Sequence, residues 1–99
     1  MSNQVAQTIL QQLGGNRFVA MTGARDLVAG ADFLQLSIGR GAKNKANKLR
    51  VTLNACDTYT VEFFALVKFE VRVKGSFAGV YADQLQQLFT AETGMQTKL

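Results

Sequence analysis

Strict alternation of apolar and polar residues recurs along the middle of this chain, and it constrains the fold more than any other feature. Leu34, Leu36 and Ile38 alternate with Gln35 and Ser37, and Leu49, Val51 and Leu53 alternate with Arg50, Thr52 and Asn54. Tyr59, Val61 and Phe63 then alternate with Thr58, Thr60 and Glu62. Val67, Phe69, Val71 and Val73 alternate with Lys68, Glu70, Arg72 and Lys74. Side chains on a strand point to opposite faces in turn, so this pattern describes strands covered on one side only. Such sheets are antiparallel, and the short links between the last three runs predict a meander. Arg17 to Thr22, with Phe18, Val19 and Met21, is expected to add a further strand. Gly23 to Asp26 has turn composition, and Leu27 to Asp32 is expected to be loop.

A half-covered sheet needs a second layer, and the two ends of the chain supply it. Val5, Ala6, Ile9, Leu10 and Leu13 form one apolar stripe at helical spacing. Ser2 or Asn3 can cap its start, and Gly14-Gly15 can end it in the left-handed conformation that glycine accepts. Tyr81, Leu85, Leu88 and Phe89 form a second stripe that stops at Gly94. The expected fold is therefore a single α+β domain over residues 1–99. It consists of an antiparallel meander of about five strands with an N-terminal and a C-terminal helix packed on one face. That face would be the one holding Leu34, Val51, Val61 and Val71.

The opposite face would then carry Gln35, Ser37, Lys48, Arg50, Thr52, Thr58, Thr60, Glu62, Phe64, Lys68, Glu70, Arg72 and Lys74. Charge gives that face a direction. The chain carries 11 Lys and Arg against 7 Asp and Glu, a net charge of +4. The segment from Gly39 to Arg50 holds five of the cations and no acid, which leaves the rest of the chain nearly balanced. It joins two of the alternating runs, and hairpin links are mostly about two to five residues long. A link this long and of one sign suits an arm that grips an anionic partner. Arg40, Lys43, Lys45, Lys48 and Arg50 are the candidate contacts with nucleic acid, and Lys68, Arg72 and Lys74 are secondary ones. Single-strand readers on sheets add stacking aromatics, and Phe64 is the sole candidate on the expected face.

Other chemistries find little support. The chain has no histidine, which removes the usual general base and the commonest zinc ligand. Cys56 is the only cysteine, so no internal disulfide forms, and no cationic neighbour in sequence activates it. Gly39-Arg40-Gly41 matches neither the dinucleotide nor the P-loop spacing. No apolar run approaches the roughly 18 residues of a membrane span. Met1-Ser2-Asn3-Gln4 has no basic stretch followed by an apolar one, so no secretory signal is expected. The chain is expected to be a cytoplasmic, non-enzymatic protein with no cofactor, no metal and no membrane partner.

Residues 9–18, Ile-Leu-Gln-Gln-Leu-Gly-Gly-Asn-Arg-Phe, continue to Met21-Thr22-Gly23-Ala24-Arg25. This opening resembles that of a group of small uncharacterised bacteriophage and prophage proteins. Gly79-Val80-Tyr81-Ala82-Asp83, with Leu85, Phe89 and Thr93-Gly94, is similar to the close of the same group, and Asp57-Thr58-Tyr59 fits its middle. The group has no established activity. The resemblance implies a setting, a phage or mobile-element protein working inside a bacterial host cell, and it assigns no functional residue. Two readings follow from the residues. The first is nucleic-acid binding, DNA or RNA, through the basic link and the adjacent sheet face. The second is a protein-interaction module, an inhibitor of a host protein or a self-assembling accessory factor, using Phe64-Ala65-Leu66-Val67 and Phe77 or an exposed sheet edge. Homo-oligomers are a further expectation, because a small sheet leaves edges to cover.

Overall fold

The computed structural model describes residues 4–38 and 46–94. Its first helix, α1 (Gln4–Leu13), buries Ala6, Ile9 and Leu13, the stripe expected from the sequence. Gly15 then donates its N–H back to the Leu10 carbonyl at 2.9 Å and lies at φ 61°, which ends the helix. A second helix, α2 (Asn16–Thr22), follows at once. This corrects the expectation of a strand over Arg17 to Thr22. Phe18, Val19 and Met21 fit either period in so short a run. The packing selects the helix, because Phe18 and Thr22, four apart, are the residues buried. The Thr22 hydroxyl donates to the Phe18 carbonyl at 2.6 Å. Gly23 closes α2 in the left-handed conformation, its N–H reaching the Val19 carbonyl at 3.1 Å.

Five strands in sequential order form one antiparallel sheet: β1 (Arg25–Ala29), β2 (Phe33–Ser37), β3 (Lys48–Leu53), β4 (Tyr59–Val67) and β5 (Glu70–Val80). A 3-10 turn at Ala82–Gln84 leads into the last helix, α3 (Leu85–Thr93), which Gly94 ends at φ 74°. The α+β class, the five-strand meander and the two terminal helices agree with the sequence. The identity of the first strand does not. Leu27 to Asp32 contributes to β1, an edge strand whose five residues are all exposed, so burial imposes no alternation on its sequence. An extra residue between Arg25 and Val28 bulges this edge, with Asp26 at φ 54°.

The core lies between the helices and the face formed by Leu34, Leu36, Leu49, Val51, Val61 and Phe63. Its centre is aromatic. Phe89 of α3 meets the edge of Phe18 of α2 at 5.1 Å between ring centroids and lies 6.3 Å from Phe63 of β4. Gly75 stands opposite Phe63, and the Phe77 ring meets Phe63 edge-on at 6.2 Å. A methyl group on Gly75 would press on that Phe77 ring.

At one margin of the core, the Tyr59 hydroxyl donates to Gln12 Oε1 at 2.9 Å. Burial raises the Tyr59 phenol above its ordinary value of 10.0, and the nearby Asp57 charge acts in the same direction. Folding thus favours the protonated phenol. Its stabilisation is complete below pH of about 10, the unfolded value, and is lost as pH rises through the higher folded value. The expected result is an alkaline loss of stability in a Tyr81→Phe background that exceeds the loss in Tyr81→Phe/Tyr59→Phe. Denaturant midpoints followed against pH check it, and parallel curves would refute it.

The largest departure from expectation concerns β5. Val67 pairs with Glu70, so Lys68 and Phe69 form a two-residue turn rather than strand, at φ 50° and 69°. Phe63 pairs with Gly75, yet Phe64 pairs with Val73, leaving Lys74 as an extra residue in a β-bulge. One extra residue exchanges the faces of everything beyond it. Val71 and Val73 therefore stand with Leu66 and Phe64 on the side away from the helices, 63% and 61% exposed. The expectation that Val71 shares the covered face with Val61 is thereby overturned.

Candidate nucleic-acid interface

Cross-strand partners share a face, so the register defines the uncovered surface row by row. One row runs Gln35, Arg50, Glu62, Ser76, and the next runs Ser37, Lys48, Phe64, Val73. Leu66 and Val71 add a third, short row, and Phe33, Thr52 and Thr60 lie at the other end. Lys48 and Arg50 thus occupy neighbouring rows of β3, as the alternation of Leu49 and Val51 requires.

Both cations are held by neutral partners. Lys48 Nζ donates to Ser37 Oγ at 2.8 Å. Arg50 donates to Gln35 Oε1 through Nε at 3.0 Å and through Nη2 at 2.7 Å. The Arg50 guanidinium also lies 5.1 Å from the centroid of the Phe33 ring, a cation–π geometry. The Phe33 ring in turn lies against Gly30, where a methyl group would collide with it. This stack orients Arg50 without neutralising it. Glu62 pairs with Arg50 in register, but the two ion pairs among the described residues are Arg25–Asp26 and Arg72–Glu70, both elsewhere and exposed.

The sequence candidates divide into three sets. Arg40, Lys43 and Lys45 lie outside the described residues, in the segment that joins Ile38 to Ala46. The described residues on either side of it meet next to Lys48: the Ile38 N–H reaches the Asn47 carbonyl at 3.0 Å, and Lys48 follows. Lys48 and Arg50 share the uncovered face. Arg72 does not join them there and Lys68 lies beyond the paired strands, which corrects the expected placement of both. Lys68 sits in the turn, Lys74 in the bulge, and Arg72 pairs with Ala65 of the covered side and bonds Glu70 at 3.3 Å.

In their place the bulge brings Val71 and Val73, and Phe64 and Leu66 complete an apolar region beside the β3 cations. A shallow depression of about 250 Å³ is lined by Gln35, Lys48, Arg50, Phe64, Leu66 and Val71. Sequence reasoning missed this adjacency. The available signal was the unbroken apolar run Phe63-Phe64-Ala65-Leu66, which places apolar side chains on both faces of β4. Asn47 fastens that level of β4: its Nδ2 donates to the Leu66 carbonyl at 3.1 Å and its Oδ1 accepts from the Leu66 N–H at 2.9 Å.

Comparison of the chain with known protein families, characterised proteins and solved structures finds no match. The chemistry of the face is therefore read from its own geometry. Among the described residues there is no group of three or more Cys, Asp or Glu placed to hold a metal ion, and no helix is long and apolar enough to cross a membrane. The arrangement offers fixed cations and apolar contact on an open surface.

Proposed function

We propose that this chain is a small non-enzymatic protein of phage type that binds nucleic acid through the open face of its sheet and the basic link beside it. One observation carries the reading. Lys48 and Arg50 stand on the uncovered face at the root of a segment containing Arg40, Lys43 and Lys45, and their hydrogen-bond partners are neutral. Five cations with no acid between them match a phosphate backbone, whose neutralisation releases counterions. Reversal of Lys43, Lys45 and Lys48 to Glu is expected to abolish binding while the circular dichroism of the fold persists. Fluorescence anisotropy with labelled oligonucleotides across salt tests it. Five phosphate contacts give a log–log slope of about −4 to −5 on duplex and about −3 to −4 on a single strand. Retained binding by the folded triple variant would refute the assignment.

A second reading has its own observation. Leu66, Val67 and Phe69 expose apolar surface at the end of the β4–β5 hairpin, with Phe69 103% exposed. Of these, Val67 and Phe69 lie outside the open face, where exposed apolar side chains at a hairpin end can meet a protein partner. A complex with a host protein that survives nuclease treatment and is lost in Phe69→Ser would favour this reading. Edge-to-edge association is less suited to the sheet. β1 carries Arg25, Asp26 and a bulge, and β5 carries Glu70, Arg72, Lys74 and two irregularities of register. Charges and bulges on edge strands oppose pairing with another strand.

A further inference from the structure

We infer that the open face selects an unpaired nucleic-acid strand over a duplex, with bases on Phe64, Leu66, Val71 and Val73 and phosphates on Lys48 and Arg50. This inference rests on the nucleic-acid reading above and goes further, naming the form of the ligand and the residues that recognise it. The argument starts from the depression shared by the β3 cations and the β4–β5 apolar side chains. Two of its lining residues are cations, one is an amide, and three are apolar. Adjacent strands lie about 4.8 Å apart, so the cations of β3 stand about 10 Å from the valines of β5. A ligand seated there meets positive charge and apolar surface together, and it must carry both anionic and flat apolar groups.

A duplex does not fit that description. Its bases are stacked inward, and it offers phosphates and groove edges to a surface of this kind. Val71, Val73 and Leu66 would gain nothing from it. An unpaired strand exposes the faces of its bases, which stack on aromatic side chains of a sheet. Phe64 supplies the ring here, and Leu66, Val71 and Val73 the apolar surface beside it. The cations already present are oriented for the backbone of the same strand, Lys48 by Ser37 and Arg50 by Gln35 and Phe33. Phe64 lies beside Lys48 in one row, which places ring and ammonium side by side.

The experiment uses the full chain with labelled thymidine and uridine oligonucleotides and a DNA duplex of the same length, each titrated across salt. Thymidine and uridine strands separate DNA from RNA as the source. The chain has no tryptophan, so Val73→Trp introduces a single indole reporter on the apolar region. Single strands are expected to bind more tightly than the duplex and to quench the indole through base stacking. Phe64→Ala is expected to weaken single-strand binding about tenfold with the salt slope unchanged, since no charge is lost. Val71→Thr/Val73→Thr, at two exposed positions, is expected to weaken it in the same sense and guards against misfolding of the Phe64 variant. Equal or tighter binding of the duplex, with unquenched indole and unaffected apolar variants, would overturn strand selection and leave the nucleic-acid reading standing. Absence of binding to every probe at low salt would overturn that reading itself.

Discussion

Replacing Phe89 with alanine is expected to destabilise the domain by about 3–5 kcal/mol, the usual cost of deleting a buried phenylalanine ring. Phe89 is fully buried and joins three elements, since its ring meets Phe18 of α2 and Phe63 of β4 from its position on α3. No neighbour can close the gap without detaching one of those elements, so the site sits at the upper part of the range. Domains of this size are stable by about 5–15 kcal/mol in total, and the loss is a large share of that. Urea denaturation measures it: with a slope of about 1–2 kcal/mol/M, the midpoint falls by about 2 M or more. Phe69→Ala provides the contrast. It removes the same ring from a fully exposed position and is expected to change stability by less than about 0.5 kcal/mol. Comparable losses from the two substitutions would mean that the aromatic centre of the core is misplaced.

The second large effect runs in the opposite direction. Replacement of Lys68-Phe69 by Asn-Gly is expected to stabilise the domain by about 2 kcal/mol. Both turn residues lie at positive φ, 50° for Lys68 and 69° for Phe69. That region costs an ordinary L-residue about 1–2 kcal/mol, whereas Asn-Gly is the preferred occupant of a two-residue hairpin turn of this hand. The strands on either side are already paired from Val67 and Glu70, so the substitution changes the turn and leaves the ladder alone. Denaturant midpoints of the two proteins decide the matter, and an unchanged or lower midpoint would exclude a strained turn. The substitution also separates the functional readings. Phe69 lies in the turn, outside the proposed strand-binding residues, so nucleic-acid affinity is expected to survive its loss while a protein contact through the hairpin end would not.

Much of this architecture is legible in the sequence because burial repeats at a fixed interval. Ala6, Ile9 and Leu13 mark α1, Leu85 and Phe89 mark α3, and Leu34, Val51 and Val61 mark three strands in register. Where burial is uniform or the run is short, that signal disappears. β1 is exposed throughout and has no alternation to detect. α2 has one helical pair, Phe18 and Thr22, and a distant ring, Phe89, selects its conformation. The candidate site was legible to the same extent. Lys48 and Arg50 follow from the alternation of β3, but the arrival of Val71 and Val73 beside them depends on a bulge. A bulge is a property of two strands together, and neither strand records it alone.

That bulge makes the chemistry of the open face a matter of counting. With Lys74 unpaired, Val71 and Val73 stand opposite Leu66 and Phe64 and face away from the helices; with Lys74 paired to Phe64, the same valines would stand opposite Val67 and Ala65 and turn toward them. Deletion of Lys74 itself would let Gly75 follow Val73 directly in the ladder, straightening the strand with both valines still opposite Leu66 and Phe64. The bulge thus works as a joint between two registers: the turn at Lys68-Phe69 sets where the valines stand, and the ladder from Gly75 onward is set on its own.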